Sequence, residues 1–157
     1  MTKNDFYTFN EYMKKEDNCL TASQEDYLEM IYRLSFNTGF TRIHELSNIL
    51  NVKPPSATKM VQKLAEMRLL KYEKYGILVL EDTGKLLGQA LINRHNVIES
   101  LLRILDISEL DILEETEKIE HTISNQTTKC FQDFVQFIKD NPEIVIEFKT
   151  YRKNLKL

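Results

Sequence analysis

Tryptophan is absent from this chain of 157 residues, cysteine occurs twice, proline three times and glycine four times. So little turn punctuation argues against a fold made of many short strands, and the apolar residues recur mostly at helical rather than alternating spacing, which favours an α-rich protein. No apolar run approaches the roughly 18 residues of a membrane-spanning helix. The amino terminus MTKNDFYTFNEYMKKED is polar and charged, without the apolar stretch of a secretion signal, so a cytoplasmic protein with no membrane partner is expected. Cys19 and Cys130 stand alone with no CxxC spacing. They read as reduced bystander thiols rather than as a disulfide or a zinc site.

What is present is enough apolar material to fold, 42% of residues. That suffices for one ordinary domain or two small ones sharing a core. The net charge of -3 speaks against nucleic acid only if the charge is spread evenly, and it is not. Lys53, Lys59, Lys63, Arg68, Lys71 and Lys74 crowd one region, while Asp106, Glu109, Asp111, Glu114, Glu115, Glu117 and Glu120 crowd another. Phosphate and metal would seek opposite ends.

Residues 1–20 carry Phe6, Tyr7, Phe9, Tyr12 and Met13, an apolar stripe suited to a short appended helix. Thr21 and Ser23 before Glu25 and Asp26 make a helix entry, Tyr27, Leu28, Ile31, Tyr32 and Leu34 supply its buried face, and Gly39 stops it. Ile43, Leu46, Ile49 and Leu50 form a short amphipathic helix ending at Asn51. Pro54 or Pro55 then opens another helix through Ala57, Met60, Val61, Leu64 and Met67. After Leu69 the period changes to a small β-hairpin broken at Tyr75 and Gly76. Asp82 and Thr83 begin a long helix to Leu105, Ser108 caps the next, a further helix ends before Pro142, and the last fifteen residues allow one more.

Two short helices with a tight junction, a hairpin and a long helix are the element order of a helix-turn-helix with a wing, in which the second helix enters the major groove. Pro55, Ser56, Thr58, Lys59, Gln62 and Lys63 on that helix offer hydrogen bonds and charge to bases and phosphates, and Lys71, Lys74 and Tyr75 of the hairpin reach a neighbouring phosphate. A merely solvated lysine-bearing helix is the bland alternative. The hairpin directly after it tips the balance toward double-stranded DNA.

Three further pieces carry ligands for a hard divalent metal: Asp26 with Glu29, His95 with Glu99, and Glu117 with Glu120 and His121. Spacings of three and four put each group on one helical face. Carboxylate and neutral imidazole suit Mn(II) or Fe(II), whereas thiolates would favour zinc or copper(I). Each piece alone also reads as an ordinary acidic face or a hydrogen-bonded histidine. His44 has no matching partners and is assigned to the surface.

The order and spacing of ASQEDYLEMIY, VKPPSATKMVQKL, LKYEKYGILVL, INRHNVIESLLRIL and EKIEHTIS resemble the diphtheria-toxin-repressor family, in particular its manganese transport regulator branch, from about Leu20 to Asn141. The resemblance implies metal ligands at Asp26, Glu29, His95, Glu117, Glu120 and His121; Glu99, one turn after His95, is either a ligand in some states or only an electrostatic neighbour. It also implies a homodimer, two Mn(II) ions per subunit, and repression of metal-uptake genes on operator DNA, with no organic cofactor. Iron-sensing members carry methionine and cysteine where this chain has Asp26 and Glu117, and both departures are toward hard oxygen.

The expected architecture is mainly α, with residues 1–20 an extension, 21–82 a winged helix-turn-helix DNA-binding domain, and 83–157 a helical dimerisation and metal-binding domain. The chain ends too soon for the third domain of the larger relatives. Fe(II) or Zn(II) in the same fold and a metal-independent winged-helix regulator are the alternatives. A carboxylate-bridged di-metal enzyme needs Glu three residues before each histidine, and Ile92 and Lys118 stand there instead. The chain therefore does not read as an enzyme.

Overall fold

The computed structural model describes residues 20–155, so the stripe from Phe6 to Met13 and the thiol of Cys19 lie outside the described residues. Two compact units follow one another, the first ending at Ile92 and the second beginning at Asn93.

In the first unit, α1 (Ala22–Ser35) starts on a capping box: the Thr21 hydroxyl accepts from the Gln24 backbone N–H, and the Gln24 side chain accepts from that of Thr21 at 2.8 Å. Two N–H groups that the helix cannot satisfy internally are thereby paired. A loop with Gly39 at φ 78° leads to β1 (Thr41–Arg42), α2 (Ile43–Ile49) and α3 (Pro54–Glu66). β2 (Leu70–Tyr72) and β3 (Ile77–Leu80) form the hairpin, and β1 pairs antiparallel with the far side of β3, giving the sheet order β1-β3-β2. Leu28 and Ile31 of α1, Leu46 of α2, Ala57, Val61 and Leu64 of α3, and Leu70, Leu78 and Leu80 of the sheet share one core. This is a winged helix-turn-helix.

With so few glycines, the helices end on other residues in the left-handed region. Asn51 (φ 52°) closes α2, with Val52 N–H on Ser47 O at 3.0 Å, and Arg68 (φ 57°) closes α3, with Leu69 N–H on Leu64 O at 3.1 Å. Each is a Schellman-type closure that recovers carbonyls left over at a helix end. It also turns the chain sharply, setting α3 against α2 and the hairpin against α3.

The long helix α4 (Asp82–Ile104) begins against the α3–β2 junction. Thr83 Oγ1 donates to Arg68 O at 3.0 Å, Glu81 N–H donates to Leu69 O at 3.0 Å, and Gly84 is buried there. Any Cβ on Gly84 would lie 1.9 Å from Leu69 O.

In the second unit, Ile98 and Leu102 of α4 and Ile112 of α5 (Glu109–Glu120) form a small core with Ile107, Ile119 and Ile123. Asp106 (φ 62°) closes α4 in the same left-handed way, with Ile107 N–H on Leu102 O at 3.1 Å. Ser108 then caps α5 and Ser124 caps α6 (Asn125–Asp140). The final α7 (Pro142–Leu155) is tied down by the Arg152 guanidinium donating to Leu105 O and by Lys149 3.5 Å from Asp106.

Three details differ from the sequence expectation. The strand β1 was not anticipated, because two residues carry no periodicity. Ile49, an apolar member of the amphipathic pattern of α2, and Leu86, an apolar residue in the first half of α4, are 50% and 75% exposed. Helical spacing identifies a face but not how far its neighbours extend over it.

Candidate metal centre and nucleic-acid interface

In α3, Ala57, Val61 and Leu64 are fully buried, which turns the opposite side of the helix outward. Pro55, Ser56, Lys59, Gln62 and Lys63 are exposed, as are Lys71 and Lys74 of the hairpin. Thr58 is half-buried and donates its hydroxyl back to Pro54 O at 3.0 Å, so its oxygen is partly committed to the first turn. Pro54 occupies the first helical position, where its missing N–H costs nothing, and no acidic residue lies in that turn. The positive end of the α3 dipole therefore adds to the lysines rather than being neutralised by a carboxylate.

Asp26 and Glu29 are half-buried on α1. Burial, and then the Asp26 carboxylate beside it, raise the Tyr27 phenol above its ordinary value. Glu29 accepts from Arg33 Nε at 2.9 Å and Nη2 at 2.6 Å, both on Oε1. That pair is an i,i+4 bridge along the helix.

In the second unit the side chains converge on His95 of α4, which is 5% exposed. Glu120 Oε1 of α5 lies 3.3 Å from His95 Nδ1, and Glu117 Oε1 lies 3.8 Å from the same nitrogen. One turn along α4, Glu99 Oε1 is 3.8 Å from His95 Nε2. Three carboxylates thus surround one buried imidazole. The 3.8 Å separations are too long for hydrogen bonds and mark electrostatic neighbours. His121, half-buried, is the residue on which α5 ends.

Glu120 is 1% exposed, and its Oε2 has no hydrogen-bond partner. One turn earlier on α5, Thr116 is fully buried and its Oγ1 is likewise unpaired. Leaving such oxygens unsatisfied costs about 1–3 kcal/mol each, more for a charged group, so natural folds avoid it unless something else is bound there. A buried carboxylate oxygen with no donor, next to an imidazole and further carboxylates, fits the ligand chemistry of a hard divalent cation.

Glu99 is partly committed elsewhere. Its Oε2 accepts from Arg103 Nη1 at 3.0 Å, and Arg103 also donates to Glu109 at 3.2 Å. Those bonds, to Glu99 first and Glu109 second, hold the guanidinium pKa above its ordinary value. Arg33, Arg103 and Thr116 are not among the residues that spacing in the sequence singles out. The two arginines were legible as i,i+4 partners of Glu29 and Glu99, whereas nothing local marks a buried threonine in mid-helix. His44 is exposed, its Nδ1 3.2 Å from the Asn48 amide.

Residues 19–78 match the family described as "Iron dependent repressor, N-terminal DNA binding domain", and residues 81–146 match "Iron dependent repressor, metal binding and dimerisation domain". The HTH-type transcriptional regulator MntR of Bacillus pumilus (strain SAFR-032) is 40% identical over 133 residues, 85% of this chain and 92% of that one. The protein of the same description from Lysinibacillus sphaericus (strain C3-41) is 42% identical over 125 residues, 80% and 90% of the two chains. The solved structure of the manganese regulator SloR is similar at a TM-score of 0.64 and 30% identity, over 73% of this chain but only 54% of that one, so the match spans about half of that longer regulator. Domain matches in succession and identity sustained along nearly the whole length of curated relatives make this chain a member of the iron-dependent, or diphtheria-toxin, repressor family, in its manganese transport regulator branch.

Proposed function

We propose that this protein is a Mn(II)-activated repressor of metal-uptake genes, acting in the cytoplasm as a homodimer on double-stranded operator DNA. Residues 21–82 form the DNA-binding domain and 83–157 the dimerisation and metal-binding domain. The observation that carries the reading is the buried His95 among Glu99, Glu117 and Glu120, with Glu120 Oε2 unpaired. His95, Glu117, Glu120 and His121 hold the metal together with Asp26 and Glu29 of α1. Glu99 serves as an auxiliary ligand or electrostatic neighbour. The donors number enough for two ions per subunit.

A bound divalent cation supplies the positive charge that this acidic set lacks. Without it, clustered carboxylates repel one another. Glu29 and Glu99 are held by Arg33 and Arg103, which keep those side chains ordered and partly neutralised. Because ligands come from α1 as well as from α4 and α5, metal binding and the conformation of the DNA-reading unit share one equilibrium. Operator DNA then tightens metal binding by the same factor by which metal tightens DNA binding. Oxygen and imidazole donors without thiolate favour Mn(II) over softer ions, with Fe(II) or Zn(II) in the same site as the second reading. The similarity to the manganese regulator SloR supports manganese.

The test is fluorescence anisotropy of a labelled duplex, selected by the protein from a random-sequence pool in the presence of Mn(II). Glu117→Ala and His121→Ala are expected to lose at least about a hundredfold in Mn(II)-dependent affinity, the scale on which loss of one charge-paired ligand acts, while keeping the helical circular dichroism of the wild type. Full Mn(II) activation of both variants would refute the ligand set. Separately, Lys59→Ala is expected to weaken DNA binding and lower the slope of log affinity against log salt by about one. Mn(II) uptake measured by equilibrium dialysis stays unchanged in that variant, and an unaltered salt slope would remove Lys59 from the interface.

A further inference from the structure

Hydroxyls inside the helices of this chain commonly donate to the carbonyl one turn back, and one buried threonine does not. Ser35 bonds Ile31 O at 2.7 Å, Thr58 Pro54 O at 3.0 Å, Ser100 Asn96 O at 2.7 Å, Thr128 Ser124 O at 3.1 Å and Thr150 Ile146 O at 2.8 Å. Thr116 of α5 has the equivalent carbonyl at Ile112, yet its Oγ1 makes no bond. The residue is fully buried, so bulk water does not stand in. A hydroxyl left this way costs about 1–3 kcal/mol, although the backward bond was open to it.

Thr116 stands on the inward line of α5. Ile112, Thr116 and Glu120 follow at intervals of four and are each at most 1% exposed, so they lie one above another on the face turned to α4. Ile112 meets Ile98 and Leu102, and Glu120 meets His95. Packing alone would favour valine between them, which has the shape of threonine without an oxygen to desolvate. The reason for the oxygen lies with its neighbour. A helical side chain leans toward the N-terminus, over the residue one turn before it, which carries the Glu120 carboxyl toward Thr116. Among the described residues, Thr116 Oγ1 and Glu120 Oε2 are the only buried side-chain oxygens without a partner, the one able to donate and the other to accept.

Resting on the reading that Glu120 is a metal ligand, we propose that Thr116 is its positioning residue: in the metal-loaded protein the Thr116 hydroxyl donates to Glu120 Oε2 and fixes the plane of the carboxylate. Held only at Oε1, by His95, that carboxyl otherwise turns about a soft torsion. A donor on the same helix face occupies one lone pair and leaves the rest aimed in a fixed direction. Both orphaned oxygens are satisfied together. Partners that orient a ligand in this way raise metal affinity about 10–100-fold.

The experiment follows Mn(II) uptake by the full chain in equilibrium dialysis, and urea unfolding of the metal-free protein. Thr116→Val keeps the shape and removes the hydroxyl, whereas Thr116→Ser keeps the hydroxyl and removes a methyl. The expected results cross. Thr116→Val weakens Mn(II) binding about tenfold, the lower end of the range for such partners, with an unfolding midpoint no lower than wild type. Thr116→Ser binds Mn(II) within about twofold of wild type but unfolds at lower urea. A threonine that served packing alone would lose binding only where stability falls. Wild-type Mn(II) affinity in Thr116→Val overturns the proposal, as does a Thr116→Ser variant that binds as weakly as Thr116→Val, or a Thr116→Val variant that unfolds at lower urea than wild type. Failure of the wild type to take up Mn(II) would overturn the metal reading and this inference together, whereas uptake indifferent to Thr116→Val overturns this inference alone.

Discussion

Glu120→Leu is expected to abolish the response to Mn(II) while leaving the metal-free protein at least as stable as the wild type. Glu120 is 1% exposed, shares one oxygen with His95 at 3.3 Å and leaves the other unpaired. Withdrawing a carboxylate from water is repaid only when every lone pair finds a partner, and replacing buried charged groups by apolar ones of similar volume is often neutral or stabilising by about 1–4 kcal/mol. Leucine fills comparable space without that penalty. His95 keeps Glu99 and Glu117 as neighbours. Urea unfolding with and without metal separates the two effects. At Mn(II) a hundredfold above its dissociation constant, the wild type gains about 2.7 kcal/mol for a single site, and the variant gains nothing. An undiminished gain in Glu120→Leu would exclude Glu120 from the ligand set, and marked destabilisation of the metal-free variant would mean that the carboxylate serves the fold.

Gly84→Ala is expected to cost about 3 kcal/mol, the upper part of the range for overpacking a tight contact, despite the roughly 1 kcal/mol that alanine normally gains over glycine inside a helix. The added methyl would lie 1.9 Å from Leu69 O and 2.8 Å from the carbonyl carbon, so it meets backbone, which cannot rotate aside as a side chain can. Leu69 O also accepts the Glu81 N–H at 3.0 Å, and Thr83 bonds Arg68 O next to it. Moving the carbonyl therefore breaks the junction that seats α4 on the winged unit. Denaturant titration of the metal-free protein measures the loss. A variant within about 0.5 kcal/mol of wild type, the usual scale of a surface substitution, would show that α4 can shift along that junction at little cost.

Much of this architecture was legible because its signals are local. Thr21 and Ser23 before Glu25 and Asp26, Pro54, Ser108 and Asp82 announce helix starts in the chain itself, and the change from helical spacing to β-formers after Leu69 marks the hairpin. The left-handed closures at Arg68 and Asp106 were hidden, since neither residue is the glycine or asparagine that usually signals one. The candidate metal residues stood out through their spacing and the family resemblance. Spacing could not reveal that Glu120 is the buried member and Glu117 exposed, because that depends on how α5 rolls on Ile98 and Leu102 of α4. Thr116 shows the same limit: a threonine within EETEKIEH looks solvated, yet it is fully buried.

The sheet of the winged unit ends in very short strands, two residues in β1 on one side and three in β2 on the other. Exposed strand edges invite pairing between molecules, and length is what makes them effective templates. Neither margin is long enough to recruit an extended segment from another copy, and β2 carries Lys71 at its centre. Among the described residues, the sheet therefore offers little template for cross-β aggregates seeded on its edges.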